Sequence, residues 1–187
     1  MNLNRISSAV IAAVCLMPVG AHAAEKAGVK MPDTVSVAGK TLQLNGLGVR
    51  EATIFAIDVY VAGLYVPQKS NDPAKLMNDD VPKKLMLTFV RDVDADDIAD
   101  AFSDSFKKNK FSAKIQSQLK TLNGWMSDMK DKQSMSFTYV PGEGITVEVR
   151  GEKKGTIAGA DFQKSFLAIW LGANPPNSGL KKGLLGK

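Results

Sequence analysis

A guanidinium, a carboxylate and a phenol lie close together in the stretch LNGLGVREATIFAIDVYVAGLYVP, residues 44–67: Arg50, Asp58 and Tyr60. Arginine stays charged at any physiological pH and offers a planar fork of donors, so it can hold a carboxylate through two parallel hydrogen bonds. The phenol of Tyr60 would add a further donor. Each has a second reading: Arg50 as a surface arginine or an ion pair with Asp58 or Glu51, and Tyr60 as a core ring whose hydroxyl bonds a carbonyl. Asp58 has two readings, a partner for Arg50 when no ligand is bound or a solvent-facing group at a strand irregularity. Arg91 follows one strand and precedes a helix, which lets it reach the same end of the layer or pair at the surface with Asp92 or Asp94. Arg50 and Tyr60 are ten residues apart, roughly 33 Å if the chain were extended at about 3.3 Å per residue. They share a site only if the chain turns between them, and Gly46, Gly48 and the broken alternation from Glu51 to Thr53 permit that turn.

Other chemistries are excluded by what is missing. The chain has one cysteine, Cys15, and one histidine, His22. Both fall in MNLNRISSAVIAAVCLMPVGAHA, which reads as a cleavable export leader. Arg5 precedes an apolar run from residue 8 to 20, and Ala21-His22-Ala23 is the small-x-small pattern before a cleavage point. The apolar part is too short to span a bilayer, so stable membrane insertion is not expected. Removing residues 1–23 leaves 164 of 187 residues and lowers the net charge from +5 to +4. The remaining chain lacks thiol and imidazole, hence disulfides, Ser-His triads and the ligands that zinc, copper and haem sites favour. No cofactor is expected. The mild positive charge, read over the whole chain, forms no stripe with interleaved aromatics, so nucleic acid is not an expected partner. A leader of this kind suits a bacterial periplasm. The acids Asp92, Asp94, Asp96 and Asp97 lack the glycine and terminal glutamate of a calcium loop and read as a solvated helix start.

The elements follow from periodicity. Residues 24–33 read as a loose polar lead-in to a domain covering 34–187. VSVAGKTLQLNG reads as two strands turning at Gly39-Lys40. From Thr53 to Val66 both alternating faces are apolar, the mark of a strand covered on both sides. On that alternation Asp58 and Tyr60 share one face, and Tyr65 is a core residue. A short helix over 72–77 begins with Asp72 as cap and Pro73 in its first turn. KKLMLTFV is a strand. The helix that follows carries Asp96 and Asp97 at its start, Lys107 and Lys108 at its end, and an inward stripe of Ile98, Ala101, Phe102, Ser105 and Phe106. A second helix is expected over 112–130, with Gly124 weakening its later half. Residues 134–159 return to period two and give three strands. ADFQKSFLAIWLG is a helix with Phe162, Phe166, Ile169 and Trp170 inward, and SGLKKGLLG adds a last turn. Strands, helices, strands and helix in that order predict an α+β domain, a mainly antiparallel sheet with a helical layer on one face.

GVR at 48–50, the VYVAGLYV strand, PKKLMLTFVRDVDADDIADAF, YVPGEGITVEV and GADFQKSFLAIWLGANPPNSGLKKGLLG occur in this order. They resemble the chalcone isomerase-like family, in its exported bacterial branch, over nearly all of residues 34–187. The resemblance implies an antiparallel sheet with helices packed on it around an apolar cleft. It also implies a ligand-facing Arg50, with Tyr60 where the plant isomerases carry a threonine. VRDVDADDIADAF stands where those enzymes keep a catalytic tyrosine and asparagine, and it contains neither. The plant fatty-acid-binding members keep the arginine and use a tyrosine on this strand, as Arg50 and Tyr60 would. The resemblance therefore implies a non-catalytic protein holding a small amphipathic carboxylate. Two alternatives stay open: an isomerase or intramolecular lyase acting on an unsaturated aromatic ketone, and an envelope accessory protein with a vestigial cleft.

Overall fold

The computed structural model describes residues 23–52, 57–109 and 111–187. The expected leader lies outside these residues apart from Ala23, as do Thr53 to Ala56 at the start of the expected long strand. Seven antiparallel strands form one sheet: β3 (Thr34–Val37), β4 (Lys40–Ala52), β5 (Ile57–Val66), β6 (Lys83–Phe89), β7 (Ser134–Val140), β8 (Gly144–Val149) and β9 (Glu152–Ile157). Their order in the sheet is their order in the chain. The helices are α1 (Pro73–Asn78), α2 (Ala95–Asn109), α3 (Ala113–Asn123), α4 (Ala160–Leu171) and α5 (Ser178–Leu184). This is the α+β architecture that the residue pattern predicts. Among the described residues no helix is long and apolar enough to cross a membrane, and no cluster of acids could hold a metal ion.

One sheet face is dry. Ala62, Leu64, Leu85, Leu87, Phe89, Phe137, Val147 and Val149 meet Ile98, Phe102, Phe106, Phe162, Phe166 and Trp170 from the helices. The buried stripe of α2 is Ile98, Phe102 and Phe106, while Ala101, expected inward, is exposed. Most of the other face is wet. Thr88 bonds Ser134 at 2.8 Å, Ser136 donates to Glu148 at 2.7 Å, and Thr146 bonds Thr156 at 2.9 Å.

Residues 24–33 correct the expected loose lead-in. Strands β1 (Ala23–Lys26) and β2 (Val29–Pro32) pair as a hairpin. It covers β5 on the face away from the helices. Met31 is buried against Gly63, where any Cβ would meet its sulfur at 2.4 Å. Tyr65 donates to the Pro32 carbonyl at 3.0 Å. This cover is why β5 is apolar on both faces. The second expected helix also ends early, at Asn123 with Gly124 as its cap. Met126 and Met129 stay in the core from irregular chain, and Met129 is held by a bridge to Val93.

At the start of β6 the buried Lys83 donates to the Asp79 carbonyl and lies 5.5 Å from the Tyr139 ring centre. Burial lowers its pKa from 10.5 to about 8, against the pull of Asp79 and Asp80. Burial likewise raises Tyr60, Tyr65 and Tyr139 from 10.0 to about 12. Between pH 8 and 10.5 the unfolded chain holds the Lys83 proton and the folded one releases it, so stability rises with pH. Above pH 10 the tyrosines reverse the sign, because the folded state then keeps protons that the unfolded state has lost. Denaturant titrations are expected to show stability climbing from pH 8 toward 10 and falling by pH 12. Lys83→Met should flatten the climb, a change on the order of 2 kcal/mol. An unchanged climb in that variant would contradict the buried amine.

Candidate functional site

Strand β4 is built to receive a helix. Beyond residue 43 no strand among the described residues lies on the side opposite β5, and α5 covers that flank. The approach requires glycine. A Cβ on Gly46 would lie 2.1 Å from the Gly183 carbonyl oxygen, and one on Gly48 would lie 2.3 Å from that of Leu180. Asn45, at a bulge in β4, is buried. It donates to the carbonyls of Leu184 at 2.7 Å and Ser70 at 3.0 Å, and accepts from the Ser70 amide at 2.7 Å. Asn177, just before α5, donates to the Val49 carbonyl at 3.1 Å and accepts from the Glu51 amide at 3.4 Å. Its side chain clamps the backbone on either side of Arg50.

Arg50 and Tyr60 are direct partners across β4 and β5. Opposed residues of an antiparallel pair project to the same face, so the pairing of β4 with β5 brings the two together; Gly46 and Gly48, expected to permit a turn, lie inside β4. Gly48 opposes Ala62, and Tyr60 opposes Phe89 on β6. Ala62 and Phe89 belong to the helix-covered core, so Arg50 projects on the helix side of the sheet. It is half-buried, and its Nη1 donates to the Glu51 carbonyl.

Tyr60 packs edge-on against Phe89, with ring centres 5.7 Å apart. Its hydroxyl accepts a 3.0 Å bond from the indole Nε1 of Trp170. Burial pushes its pKa up to about 12, while the Trp170 bond and the Arg50 charge pull the other way. The phenol is therefore neutral over the physiological range. With one lone pair taken by the indole, it keeps its own proton for another acceptor.

Asp58 is not in this group. The register shifts between Arg50 and Glu51, so Asp58 pairs with Glu51 and Val59 is the extra residue of a bulge. A bulge breaks the two-residue alternation, which separates Asp58 from the face of Tyr60. Asp58 is exposed, and among the described residues no ion pair joins it to Arg50. Arg91 is also exposed, just past the end of β6. Neither surface pairing expected for it forms: Asp92 is held instead by Lys130 at 3.0 Å.

The sequence reading missed two members. Asn177 carries a legible signal, an asparagine after Pro175-Pro176 and ahead of a helical turn, the pattern of a helix cap. Trp170 was placed correctly in the core, but its bond to Tyr60 joins residues 110 apart and has no local signature.

The space between sheet and α4 is filled by rings. Phe166 lies 4.6 Å from Phe137 and 4.9 Å from Trp170, and Phe102 lies 6.1 Å from Phe137, Phe166 and Trp170 alike. Two hollows stand out among the described residues. One, of about 10 Å³, lies beside Lys83 and Tyr139. The other, of about 390 Å³, runs between α2 and α3. Neither is lined by Arg50 or Tyr60.

The comparisons agree with this architecture. A fatty-acid binding protein of Arabidopsis thaliana, known from a crystal structure, superposes with a TM-score of 0.69 at 16% identity, over 88% of this chain and 96% of its own. At that identity the likeness concerns the fold. No curated protein sequence matches. The family described as chalcone isomerase-like matches residues 23–186, from the first strand of the β1–β2 hairpin to the end of the helix that covers β4. The chain belongs to the chalcone isomerase-like family.

Proposed function

We propose that this protein is a non-catalytic binding module, exported to the periplasm, that holds a small amphipathic carboxylate such as a fatty acid. Arg50 and Tyr60 grip the head. The observation that carries this reading is their direct opposition across β4 and β5 on the helix side of the sheet. There a permanent cation stands beside a phenol whose own proton has no acceptor among the described residues. The fold it shares with the plant fatty-acid binding protein supports the same reading.

Isomerase chemistry is disfavoured. An efficient general acid has a pKa near the working pH, and Tyr60 is pushed up to about 12. The α2 face supplies Ile98 and Phe102, which carry no transferable proton. A chalcone substrate is expected to give a flat absorbance trace.

The test is calorimetric titration with saturated fatty acids of eight to eighteen carbons. Arg50→Ala removes a charge-assisted contact of about 1.5–3 kcal/mol, so affinity should fall by about 10- to 100-fold. Tyr60→Phe should lose about fivefold. Absence of binding across the series, or equal binding by Arg50→Ala, overturns the carrier reading. The ring-filled space beneath Trp170 favours a second reading, an envelope accessory protein with a vestigial cleft. That reading predicts the silent titration.

A further inference from the structure

The positive balance of the chain is concentrated after all. Six acids lie from Asp92 to Asp104. Between Asp104 and Asp128 there are none, and five lysines: Lys107, Lys108, Lys110, Lys114 and Lys120. Lys110 lies outside the described residues, but Lys107 from α2 and Lys120 from α3 both line the 390 Å³ hollow between those helices. Phe106, Phe111 and Leu119 line it too. Phe106 and Phe111 meet edge to face, with ring centres 4.9 Å apart. Asn123 ties α3 to α2 along the same groove, donating to the Ala99 carbonyl at 3.2 Å and to Ser103 Oγ at 2.9 Å.

We infer that the groove between α2 and α3 is a second seat for a single-chain anionic amphiphile, separate from Arg50 and Tyr60. Its volume falls within the roughly 300–1,000 Å³ of small-molecule sites. The aromatic and leucine surfaces suit an alkyl tail, and two lysines, one from each wall, suit an anionic head. None of the lining residues is acidic. Among the described residues Lys107 has one counter-ion, Asp104, 3.2 Å away and one turn back along α2, with both side chains largely exposed. An exposed pair of this kind is worth little and yields readily to a ligand. Phe106 and Leu119 form the floor, 3% and 7% exposed, and the half-buried Phe111 stands at the wall. That geometry favours a single chain over a flat bilayer or a stacked nucleobase. The seat uses no residue of the Arg50 site and stands or falls apart from it.

The experiment titrates the purified protein with dodecanoate below its micelle concentration. Lys107→Glu/Lys120→Glu and Arg50→Ala are titrated in parallel, with circular dichroism to verify folding. The charge reversals are expected to weaken the groove component about tenfold while the Arg50-dependent component persists. Arg50→Ala should keep the groove component. Dodecyltrimethylammonium, with the same tail and the opposite charge, should not bind there. Unchanged binding by the double variant overturns the inference, as does complete loss of binding in Arg50→Ala alone. Lysine-dependent capture of anionic vesicles or of an oligonucleotide, without binding of monomeric dodecanoate, would assign the patch to those partners instead.

Discussion

Gly48→Ala is expected to lower the melting temperature by about 6–12 °C. The added methyl would sit 2.3 Å from the Leu180 carbonyl oxygen and 2.9 Å from the Leu180 side chain. The obstacle is chiefly backbone, so no rotamer change relieves it, and α5 must lift from β4. Overpacking of this kind costs about 3 kcal/mol, and a domain of this size loses roughly 2–4 °C per kcal/mol. The clamp of Asn177 on Val49 and Glu51 loosens with the helix, so ligand affinity at Arg50 should fall too. Gly179→Ala is the control. Its methyl would meet only the Asn177 amide nitrogen, at 3.6 Å, and alanine favours a helix by up to about 1 kcal/mol. Thermal melts of the two variants check the pair. If Gly48→Ala melts alongside the parent protein, the close seat of α5 on β4 is wrong.

Trp170→Ala should be costlier, at about 4 kcal/mol. The ring is fully buried and touches Phe102, Phe137 and Phe166, and losing so large a core side chain leaves a cavity that neighbours fill only in part. The variant also strips Tyr60 of its indole donor. Most of that cavity is apolar, and at its rim stands Tyr60, the cross-strand partner of Arg50. Saturating dodecanoate is therefore expected to return about 2–3 kcal/mol of the lost stability, the linkage expected at about 100 times its dissociation constant. The double variant Trp170→Ala/Arg50→Ala should regain only what dodecanoate bound in the groove between α2 and α3 contributes. Denaturant titrations with and without dodecanoate measure all three quantities. Equal rescue of the single and double variants would remove Arg50 from the head-binding role.

The sheet was legible because burial writes itself into alternation. β5 reads apolar on both faces since α-helical rings cover one and Met31 and the Tyr65–Pro32 bond secure the other. The hairpin that supplies Met31 was not legible, because AEKAGVKMPD is polar around that one buried side chain. The face of Asp58 was misassigned for a different reason. Alternation counts residues, whereas the bulge at Val59 adds one that only the pairing with β4 reveals. The end of α3 was blurred because Met126 and Met129 continue its apolar pattern from non-helical chain. Within the site, GVR already contained the logic of its geometry. Gly48 admits α5 and Arg50, two residues on, shares that face, but nothing local could say that Leu180 was the neighbour.

The strands lie in the sheet in the order in which they are translated, so each after the first has its chain predecessor as a neighbour. The flank of β4 is the exception. Its cover arrives with α5, and Asn45 meets Leu184 across 139 residues of chain. A nascent polypeptide halted before Asn177 would own every described strand yet leave the flank of β4 uncovered, open to a stranger's strand. The helix thus works as a latch, and a chain that lacks it is expected to associate with itself through the uncovered flank of β4.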